Sequence, residues 1–256
     1  MTIRKYSTAS ISSSRSFEKT KSIIGSSVSR EIKIEYLVVA GGGGTIYGVA
    51  PAQDATGGGG AGGLVYGSTW LRKFGSSGTT ISIQVGAAGS RGSSSSTNGG
   101  DSYLGPVTAY GGGGYNSATS GAGGSGSSNG SSTQISYPEY NGTGYGTSGA
   151  TISGYSGSGG GAGGVATGLR LNISGQSALY SIGGTYGSLP TYTGYGHGAC
   201  AQKFSNPYTK DAFPGVVILR YLKEFPAATA TTGSPTVSIV GEYRIYTFTS
   251  SGSITF

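Results

Sequence analysis

The alternation of apolar and polar positions predicts β-strands along most of the chain. Residues 79–86 alternate cleanly, with Ile81, Ile83 and Val85 on one face. Residues 216–219 are apolar without interruption, which indicates a strand buried on both faces. We therefore predict an all-β domain, a β-sandwich, with helix nearly absent outside residues 1–31. The predicted strands lie near residues 32–40, 79–86, 102–110, 214–221 and 235–256.

Several shorter segments are less regular. Residues 102–110 contain Pro106, which makes this an edge strand or interrupts it. Residues 64–74 fit a strand or a short amphipathic turn, and Trp70 within them is interpreted as a core or hairpin anchor. Residues 169–175 and 178–184 are short strand-like pieces. Near the C-terminus, the Ser-Ser-Gly of residues 250–252 separates two alternating segments and predicts a hairpin.

Dense glycine runs separate these strands, and two structures tolerate them. One is a flexible linker, and the other is polyglycine II, a left-handed form with three residues per turn whose backbones pack side by side. Apolar segments such as EYLVVA, LVYG and VTAY flank the runs and favour a packed structure. We therefore predict long loops and extended polyglycine-II-like rods beside the sandwich. The runs lie within residues 41–44, 57–63, 111–114, 121–126 and 157–164.

Composition and charge divide the chain into regions. Its 53 glycines among 256 residues are about three times the roughly 7% usual in proteins, without the strict repeat of collagen. Nineteen tyrosines and few charges are also unlike a disordered chain. We expect a basic, Ser-rich docking arm at 1–31 that can include a short helix, a glycine-rich β domain at 32–224, and a C-terminal linker with β-hairpin at 225–256, packed on the same domain.

The net charge of +7 is concentrated near the N-terminus. Residues 1–33 hold seven Lys or Arg and two Glu, a net +5, so the remainder carries only +2. A solvated tail and a segment that becomes ordered on a partner remain equally open for this arm. The scattered basic residues of the body argue against nucleic acid as a partner. There is no signal-peptide core and no apolar run long enough for membrane insertion.

The residues that could carry catalysis or bind metal are few. His197 and Cys200 are the only members of their kinds, so they supply two of the three or four ligands a metal needs and lack an evident orienting carboxylate. Glycan hydrolysis by paired carboxylates is the alternative that is hardest to exclude. Its candidates are Asp54, Asp101, Glu139 and Asp211. No glycine run continues into a phosphate-binding motif. We expect no enzyme, no cofactor and no metal site.

Six motifs together resemble the glycine-rich domain of bacteriophage tail-fibre and adhesin (receptor-binding) proteins. The first five occur in that family's order, and with the sixth the match spans residues 32–256: EYLVVAGGGG, GGGGAGGLVYG, TTISIQVGAAGSRG, NGGDSYLGPVTAYGGGGY, PGVVILRY and YRIYTFTSSGSITF. The chain departs from the family at 199–213, where glycine is depleted, and in the position of the last motif, which commonly opens such a domain.

The resemblance implies a virion protein for host attachment, with glycine rods as scaffold and variable loops as receptor contacts. Such a protein is made in the host cytoplasm and exposed on the phage particle. The resemblance further implies docking to other virion proteins through residues 1–31 and a homo-oligomer, with a trimer favoured. Two alternatives stay open: a purely structural virion protein, such as a fibre shaft, head fibre or decoration, and a secreted matrix or filament protein.

Tyrosines between the glycine runs are the candidate receptor-binding residues. A tyrosine ring offers a flat apolar face and a polar tip, which suits a host surface glycan whose hydroxyls meet nearby asparagines. The alternative is that these rings fill gaps in a scaffold poor in side chains. The candidates are Tyr115, Tyr137, Tyr140, Tyr145, Tyr155, Tyr192 and Tyr195, with Asn116, Asn129 and Asn141 beside them.

Overall fold

The structure is a computed structural model, in which Ile32–Phe256 form a compact unit separate from the first 31 residues. The helix predicted within residues 1–31 falls on residues that lie outside the described part of the chain. The residues described are 31–46, 57–75, 78–93, 95–115, 123–127, 130–152, 155–156, 158–185, 194–200 and 211–256.

The regular secondary structure described for the unit Ile32–Phe256 is almost entirely β-strand. The first half contains β1 (Lys33–Val39), β2 (Leu64–Trp70), β3 (Thr80–Gln84), β4 (Ser102–Leu104), β5 (Val107–Ala109), β6 (Gly142–Tyr145), β7 (Thr151–Ile152) and β8 (Tyr155–Ser156). The second half contains β9 (Gly160–Gly161), β10 (Gly164–Val165), β11 (Leu169–Leu171), β12 (Ala178–Tyr180), β13 (Val216–Leu222), β14 (Ala230–Thr232), β15 (Thr236–Val240), β16 (Tyr243–Phe248) and β17 (Gly252–Thr255). Helix in the described part is limited to α1 (Leu71–Phe74) and a 3-10 turn, Pro138–Tyr140.

Two antiparallel sheets face each other. The larger has the order β15-β16-β13-β1-β2-β6 and the smaller the order β14-β17-β3-β4-β5. Hairpins β7-β8, β9-β10 and β11-β12 form separate two-stranded sheets. The prediction of an all-β sandwich is confirmed, and the strands predicted near 32–40, 79–86 and 214–221 are present as β1, β3 and β13.

The main core lies between the two sheets. In β1, Ile34, Tyr36 and Val38 point into it, as the alternation of the sequence predicts. Phe248 of the larger sheet and Ile254 of the smaller one meet in the same core. Its other fully or nearly fully buried members are Ala40, Val65, Leu71, Ile81, Ile83, Leu104, Val107, Ala109, Val217, Leu219, Tyr221, Tyr246 and Phe256.

A second core covers the outer face of the larger sheet. Leu37 and Val39 of β1 and Val216 and Ile218 of β13 point outward and pack under hairpin β11-β12. The prediction that 216–219 form a strand buried on both faces is therefore confirmed. The remaining buried members of this second core are Leu64, Ala162, Ile173, Tyr180 and Ile245.

The two less regular segments, 64–74 and 102–110, each contain more than one element. Pro106 interrupts 102–110, because β4 and β5 form a tight hairpin around it at the edge of the smaller sheet, with Gly105 at φ 53°. Residues 64–74 contain both predicted forms, strand β2 followed by α1. Trp70 is 39% exposed, so its assignment as a core residue was wrong.

The hairpin predicted at residues 250–252 was wrong. β16 pairs within the larger sheet, whereas β17 pairs with β3 in the smaller one. The alternating pattern is satisfied because the chain crosses from one sheet to the other, and Phe248 and Ile254 bury from opposite sides of the main core. The C-terminal hairpin is β15-β16 instead, and Gly241 at φ 58° occupies its turn.

Beyond one end of the sandwich, the glycine runs form parallel and antiparallel rods joined by backbone hydrogen bonds. In the central rod, residues 40–44, successive N–H groups donate to three neighbours in rotation. The first neighbour is the rod 57–63, where Ala40 donates to Gly63 O and Gly43 donates to Gly60 O. The second is residues 97–100, where Gly41 donates to Gly100 O and Gly44 donates to Thr97 O. The third is Phe213, whose carbonyl accepts from Gly42, and all five N···O distances are 2.8–3.0 Å. The same neighbour recurs every third residue, which is the period of polyglycine II.

The central rod has six neighbours in all. Its carbonyl oxygens accept hydrogen bonds from three further segments, and the donors are Gly112 and Tyr115, Gly89, and Ala199. The rod 57–63 repeats the pattern. Gly59 and Gly62 donate to one neighbouring segment, at Ala199 O and Gly196 O, and Gly60 and Gly63 donate to a second, at Gly113 O and Tyr110 O. Ala61 donates to a third neighbour, at Gly160 O. The predicted rods thus pack as a lattice in which each interior rod is hydrogen-bonded on all sides; we call this the glycine lattice.

Close approach of the backbones explains why the lattice needs glycine. A Cβ on Gly43 would stand within 3.0 Å of the Gly113 carbonyl, and one on Gly60 would overlap the carbonyl of Ser125. Neither residue has φ in the left-handed region, so space rather than conformation excludes a side chain. Ala61 shows that single positions within a rod do accept a methyl group.

Candidate functional site

One end of the glycine lattice brings together the residues that flank four longer segments of the chain. Thr45 Oγ1 donates to Gly57 O at 2.6 Å, and the N–H of Tyr115 donates to Gly44 O at 3.0 Å. The N–H of Ala199 bonds Gly43 O at 2.9 Å, and Thr185 contacts Cys200 Sγ. Thr45, Tyr115, Thr185 and Ala199 each lie within two residues of a range that is outside the described residues, namely 47–56, 116–122, 186–193 and 201–210. We call this end of the lattice the lattice end.

Polar side chains also fix the margins of the lattice. The carboxylate of Asp101 accepts a hydrogen bond from Gly111 N at 2.7 Å, and Asn98 Oδ1 accepts one from Gly114 N at 2.7 Å. Gln134 Oε1 accepts from Tyr110 N at 2.9 Å. Each side-chain oxygen takes the place that a neighbouring carbonyl occupies in the lattice interior. Sequence reasoning named Asp101 only as a candidate carboxylate for hydrolysis and missed this role of the three residues, because a single Asp, Asn or Gln beside a glycine run has no distinctive spacing.

Tyr115 is the candidate tyrosine at the lattice end. Tyr115 is 6% exposed, and its backbone carbonyl accepts a hydrogen bond from Ser96 Oγ at 2.6 Å. Tyr155 lies in β8, and only its backbone is described. Tyr192 lies outside the described residues.

Tyr137 and Tyr140 lie together beside the main core. The Tyr140 ring stacks on Phe74 with centroids 5.3 Å apart, and the Tyr36 hydroxyl donates to Tyr140 O at 3.0 Å. Both candidates are half-buried. A hydrogen bond with the side chain of Tyr137 raises the pKa of Tyr110.

Tyr145 and Tyr195 are half-buried against the second core, on the outer face of the larger sheet. The structure thus brings only Tyr137 and Tyr140 together among the five described candidates. Tyr115, Tyr145 and Tyr195 lie at three other places, beside Gly44, Tyr66 and Tyr180 respectively. Asn141, one of the predicted neighbours, is exposed, and its φ of 48° ends the 3-10 turn beside Tyr140.

Tyr195 also lines an open cavity of about 400 Å³ beside the second core. The floor of the cavity includes Ile218 and Thr247, which are cross-strand partners on β13 and β16. Hairpin β11-β12 contributes the walls through Arg170, Ser174 and Tyr180. Burial raises the pKa of Tyr180, and a hydrogen bond with Ser174 partly offsets this effect. We call this cavity the side pocket.

A comparison with protein families identifies the scaffold. The family model described as glycine-rich domain matches residues 23–222, which is most of the chain. The chain belongs to this family. The glycine-rich domain part of the resemblance is therefore confirmed. No curated protein shows significant similarity to the sequence.

The glycine-rich domain also holds an ion pair that sequence reasoning missed. Arg220 binds Glu35 Oε2 through Nη2 at 2.6 Å and Nε at 3.0 Å, and the two residues are cross-strand partners on β13 and β1. The Tyr66 hydroxyl donates to the same Glu35 oxygen at 3.3 Å, and Arg220 lies 4.6 Å above the Tyr243 ring. Burial, followed by the charge of Glu35, raises the pKa of Tyr66. Spacing along the sequence could not reveal a pair separated by 185 residues.

The groups considered for chemistry are distributed across the glycine-rich domain. His197 is buried and packs edge-on against Phe213, with ring centroids 5.8 Å apart. Cys200 Sγ accepts from the backbone N–H of Thr185 at 3.4 Å. Asp211 pairs with Arg91 at 2.6 Å, and Glu139 is exposed in the 3-10 turn. In the part of the chain that the structure describes, no three such residues are grouped as a metal would need, and no helix is long and apolar enough to cross a membrane.

Proposed function

We propose that this protein is a fibre or adhesin protein of a bacteriophage virion and that it binds a receptor on the host cell surface, a polysaccharide. The observation that carries the proposal is the lattice end, where the flanks of four longer chain segments meet on a backbone fixed from all sides. Binding residues are commonly carried on connecting segments that a rigid scaffold positions.

The glycine lattice supports this role because it pre-orders the positions from which the segments start. Rigid presentation lowers the entropy that binding would otherwise cost. Residues 46 and 57 lie on adjacent rods, as the Thr45 hydrogen bond to Gly57 shows, so 47–56 can be replaced without separating them. Residues 200 and 211 also flank adjoining rods, since Phe213 N donates to His197 O at 2.9 Å.

The test is to replace residues 47–56 and 201–210 by short Gly-Ser linkers and to measure adsorption of the purified protein to host cells. We expect adsorption to fall at least tenfold while the thermal unfolding midpoint stays within a few degrees. The control replaces the exposed β15-β16 turn residues Gly241 and Glu242 by Gly-Ser, at a connection that lies away from the lattice end. Full adsorption by the loop-replaced protein, with its fold intact, would contradict the proposal.

One observation favours the alternative of a purely structural virion protein. The candidate tyrosines whose side chains are described are buried or half-buried, as gap-filling rings would be. Replacing Tyr140, Tyr145 and Tyr195 together with Ala separates the two roles. Lower adsorption at unchanged stability supports receptor binding, whereas lower stability at unchanged adsorption shows that these rings are scaffold.

We further propose that residues 1–31 attach the protein to other virion proteins and that the body forms a homo-oligomer, with a trimer favoured. The support is the concentration of positive charge there, a net +5 over residues 1–33. Deleting residues 1–31 should abolish incorporation into particles and leave residues 32–256 folded, since these form a compact unit of their own. Sedimentation of both forms measures the oligomeric state.

A further inference from the structure

The side pocket is a second place where the molecule can hold a small polar ligand. Its volume of about 400 Å³ falls in the range of roughly 300–1,000 Å³ typical of small-molecule sites. It opens on the outer face of the larger sheet, beside the second core rather than at the lattice end. Its floor is rigid, because Ile218 and Thr247 belong to the paired central strands β13 and β16.

The backbone that carries Tyr195 is fixed on both sides. Tyr195 O accepts a hydrogen bond from Ser181 N at 3.0 Å, and the next residue, Gly196, donates to Pro214 O at 2.8 Å. Gly196 has φ 73°, and a Cβ there would collide with Val39. The backbone of Tyr195 is thus held beside the pocket that its side chain lines. A tyrosine ring, with only two rotatable side-chain angles, offers an apolar face to the C–H surface of a sugar at little entropic cost.

The charge at the pocket has one sign. Arg170 is the one charged side chain among the described residues that line it, and its Nη1 lies 3.4 Å from Ser177 Oγ, just before β12. The neighbouring Arg220 is already engaged by Glu35 and by the carbonyl of Asn172. A guanidinium presents paired N–H donors whose geometry matches a carboxylate. The hydroxyl of Thr247 adds a group that can bond a sugar hydroxyl, whereas the Ser174 and Tyr180 hydroxyls already bond each other.

We infer that the side pocket binds a carboxylate-bearing sugar, a uronic acid unit, with Arg170 on the carboxylate and Tyr195 against the ring. The inference rests on the proposed function only in taking a cell-surface polysaccharide as the source of that sugar. It deepens the proposal by naming an acidic glycan as the ligand class. It also places this contact away from the lattice end, so the two contacts are separable by mutation.

The test measures binding of two matched disaccharides, cellobiouronate and cellobiose, to the full-length protein by titration calorimetry at low and moderate salt. These ligands differ in one carboxylate. We expect the acidic disaccharide to bind at least tenfold more tightly than the neutral one, with a preference that weakens as salt increases. Equal affinity for both, or binding of neither at millimolar concentration, would overturn the inference.

Variants assign the effect to the pocket. Arg170→Gln should weaken binding of cellobiouronate at least tenfold, and Arg170→Lys should weaken it less. Tyr195→Phe, which keeps the ring, should retain binding of both disaccharides. Lys73→Gln removes an equal charge from the exposed face of α1 and serves as the matched control. Unchanged affinity in Arg170→Gln, with an unchanged unfolding midpoint, refutes the assignment.

Adsorption to host cells distinguishes failure of this inference from failure of the proposed function. If the protein adsorbs but does not prefer the acidic disaccharide, the inference falls and the proposed function stands. If it binds cellobiouronate through Arg170 but adsorbs to no host, the pocket assignment stands and the receptor-binding role falls.

Discussion

Replacing Gly43 with Ala tests whether the glycine lattice depends on space alone. Gly43 lies in the central rod, its N–H donates to Gly60 O at 2.8 Å, and its carbonyl accepts from Ala199 N at 2.9 Å. An added Cβ would stand within 3.0 Å of the carbonyl carbon and oxygen of Gly113 and of the oxygen of Gly112. These are backbone atoms of the rod 110–115, so no side chain can rotate away. Either the two rods separate or the clash persists.

The expected loss of stability follows from two contributions. Inserting a methyl group into a close-packed interior costs about 1–3 kcal/mol. Separating the rods weakens the hydrogen bonds from Gly112 N to Gly41 O and from Tyr115 N to Gly44 O, each worth about 1 kcal/mol net. The reduced entropy of the unfolded chain opposes this by about 0.4–1 kcal/mol. Steric overlap therefore dominates, and we expect a net loss of about 2–4 kcal/mol in the free energy of unfolding.

Two further variants separate space from conformation. Gly241→Ala adds a Cβ where nothing lies within 4 Å, but φ there is 58°, so its cost of about 1 kcal/mol is conformational. Ala61→Gly removes a methyl group from a rod interior and should cost about 1 kcal/mol. Urea unfolding followed by far-ultraviolet circular dichroism gives the three free energies. A Gly43→Ala protein no less stable than Gly241→Ala would refute the steric account of the lattice.

Further predictions concern the sandwich. Burial raises the pKa of Tyr36 and Tyr221 above the value near 10 of an exposed tyrosine. The stability that these neutral side chains contribute is therefore complete below about pH 10 and is lost as pH rises through their folded-state pKa values. Tyr36→Phe should flatten the alkaline decline of the unfolding free energy measured between pH 9 and 12. Glu35→Gln leaves the half-buried Arg220 without its carboxylate and should lower the unfolding free energy by about 1–3 kcal/mol, and an unchanged urea midpoint would count against the ion pair. Ile239→Lys, at a position 60% exposed on edge strand β15, should alter stability by less than about 0.5 kcal/mol and lower light scattering at high protein concentration, and greater scattering would contradict this.

The strands that cross the main core could be predicted because their side chains carry the signal. The alternation in β3 and the unbroken apolar residues of β13 reflect burial on one face and on both faces. The segment after Phe248 shows the limit of such patterns. An alternating segment on each side of Ser-Ser-Gly fits a hairpin within one sheet and a crossing between two sheets equally well. The choice depends on which strand pairs with β17, and β3 lies about 170 residues earlier in the chain.

The presence of glycine rods could be predicted, but their neighbours could not. Gly43 and Gly60 have no side chain that would distinguish one partner from another, and their hydrogen bonds are the same whichever rod lies beside them. The side pocket could not be predicted from the sequence for a different reason. Arg170, Tyr195 and Thr247 are far apart in sequence and meet only because β11-β12 folds over the larger sheet.

The period of three in the rods affects how the gene can change. An insertion or deletion of three residues within a run moves the chain by one full turn, about 9 Å, and returns every N–H to a neighbour in the same direction. A change of one or two residues instead rotates the donors away from their acceptors. Insertion or deletion of glycine codons in threes therefore lengthens or shortens a rod and leaves its pattern of hydrogen-bonded neighbours unchanged. Changes of three residues in the gene thus alter the length of a rod between the sandwich and the lattice end, and they leave the sandwich itself unchanged.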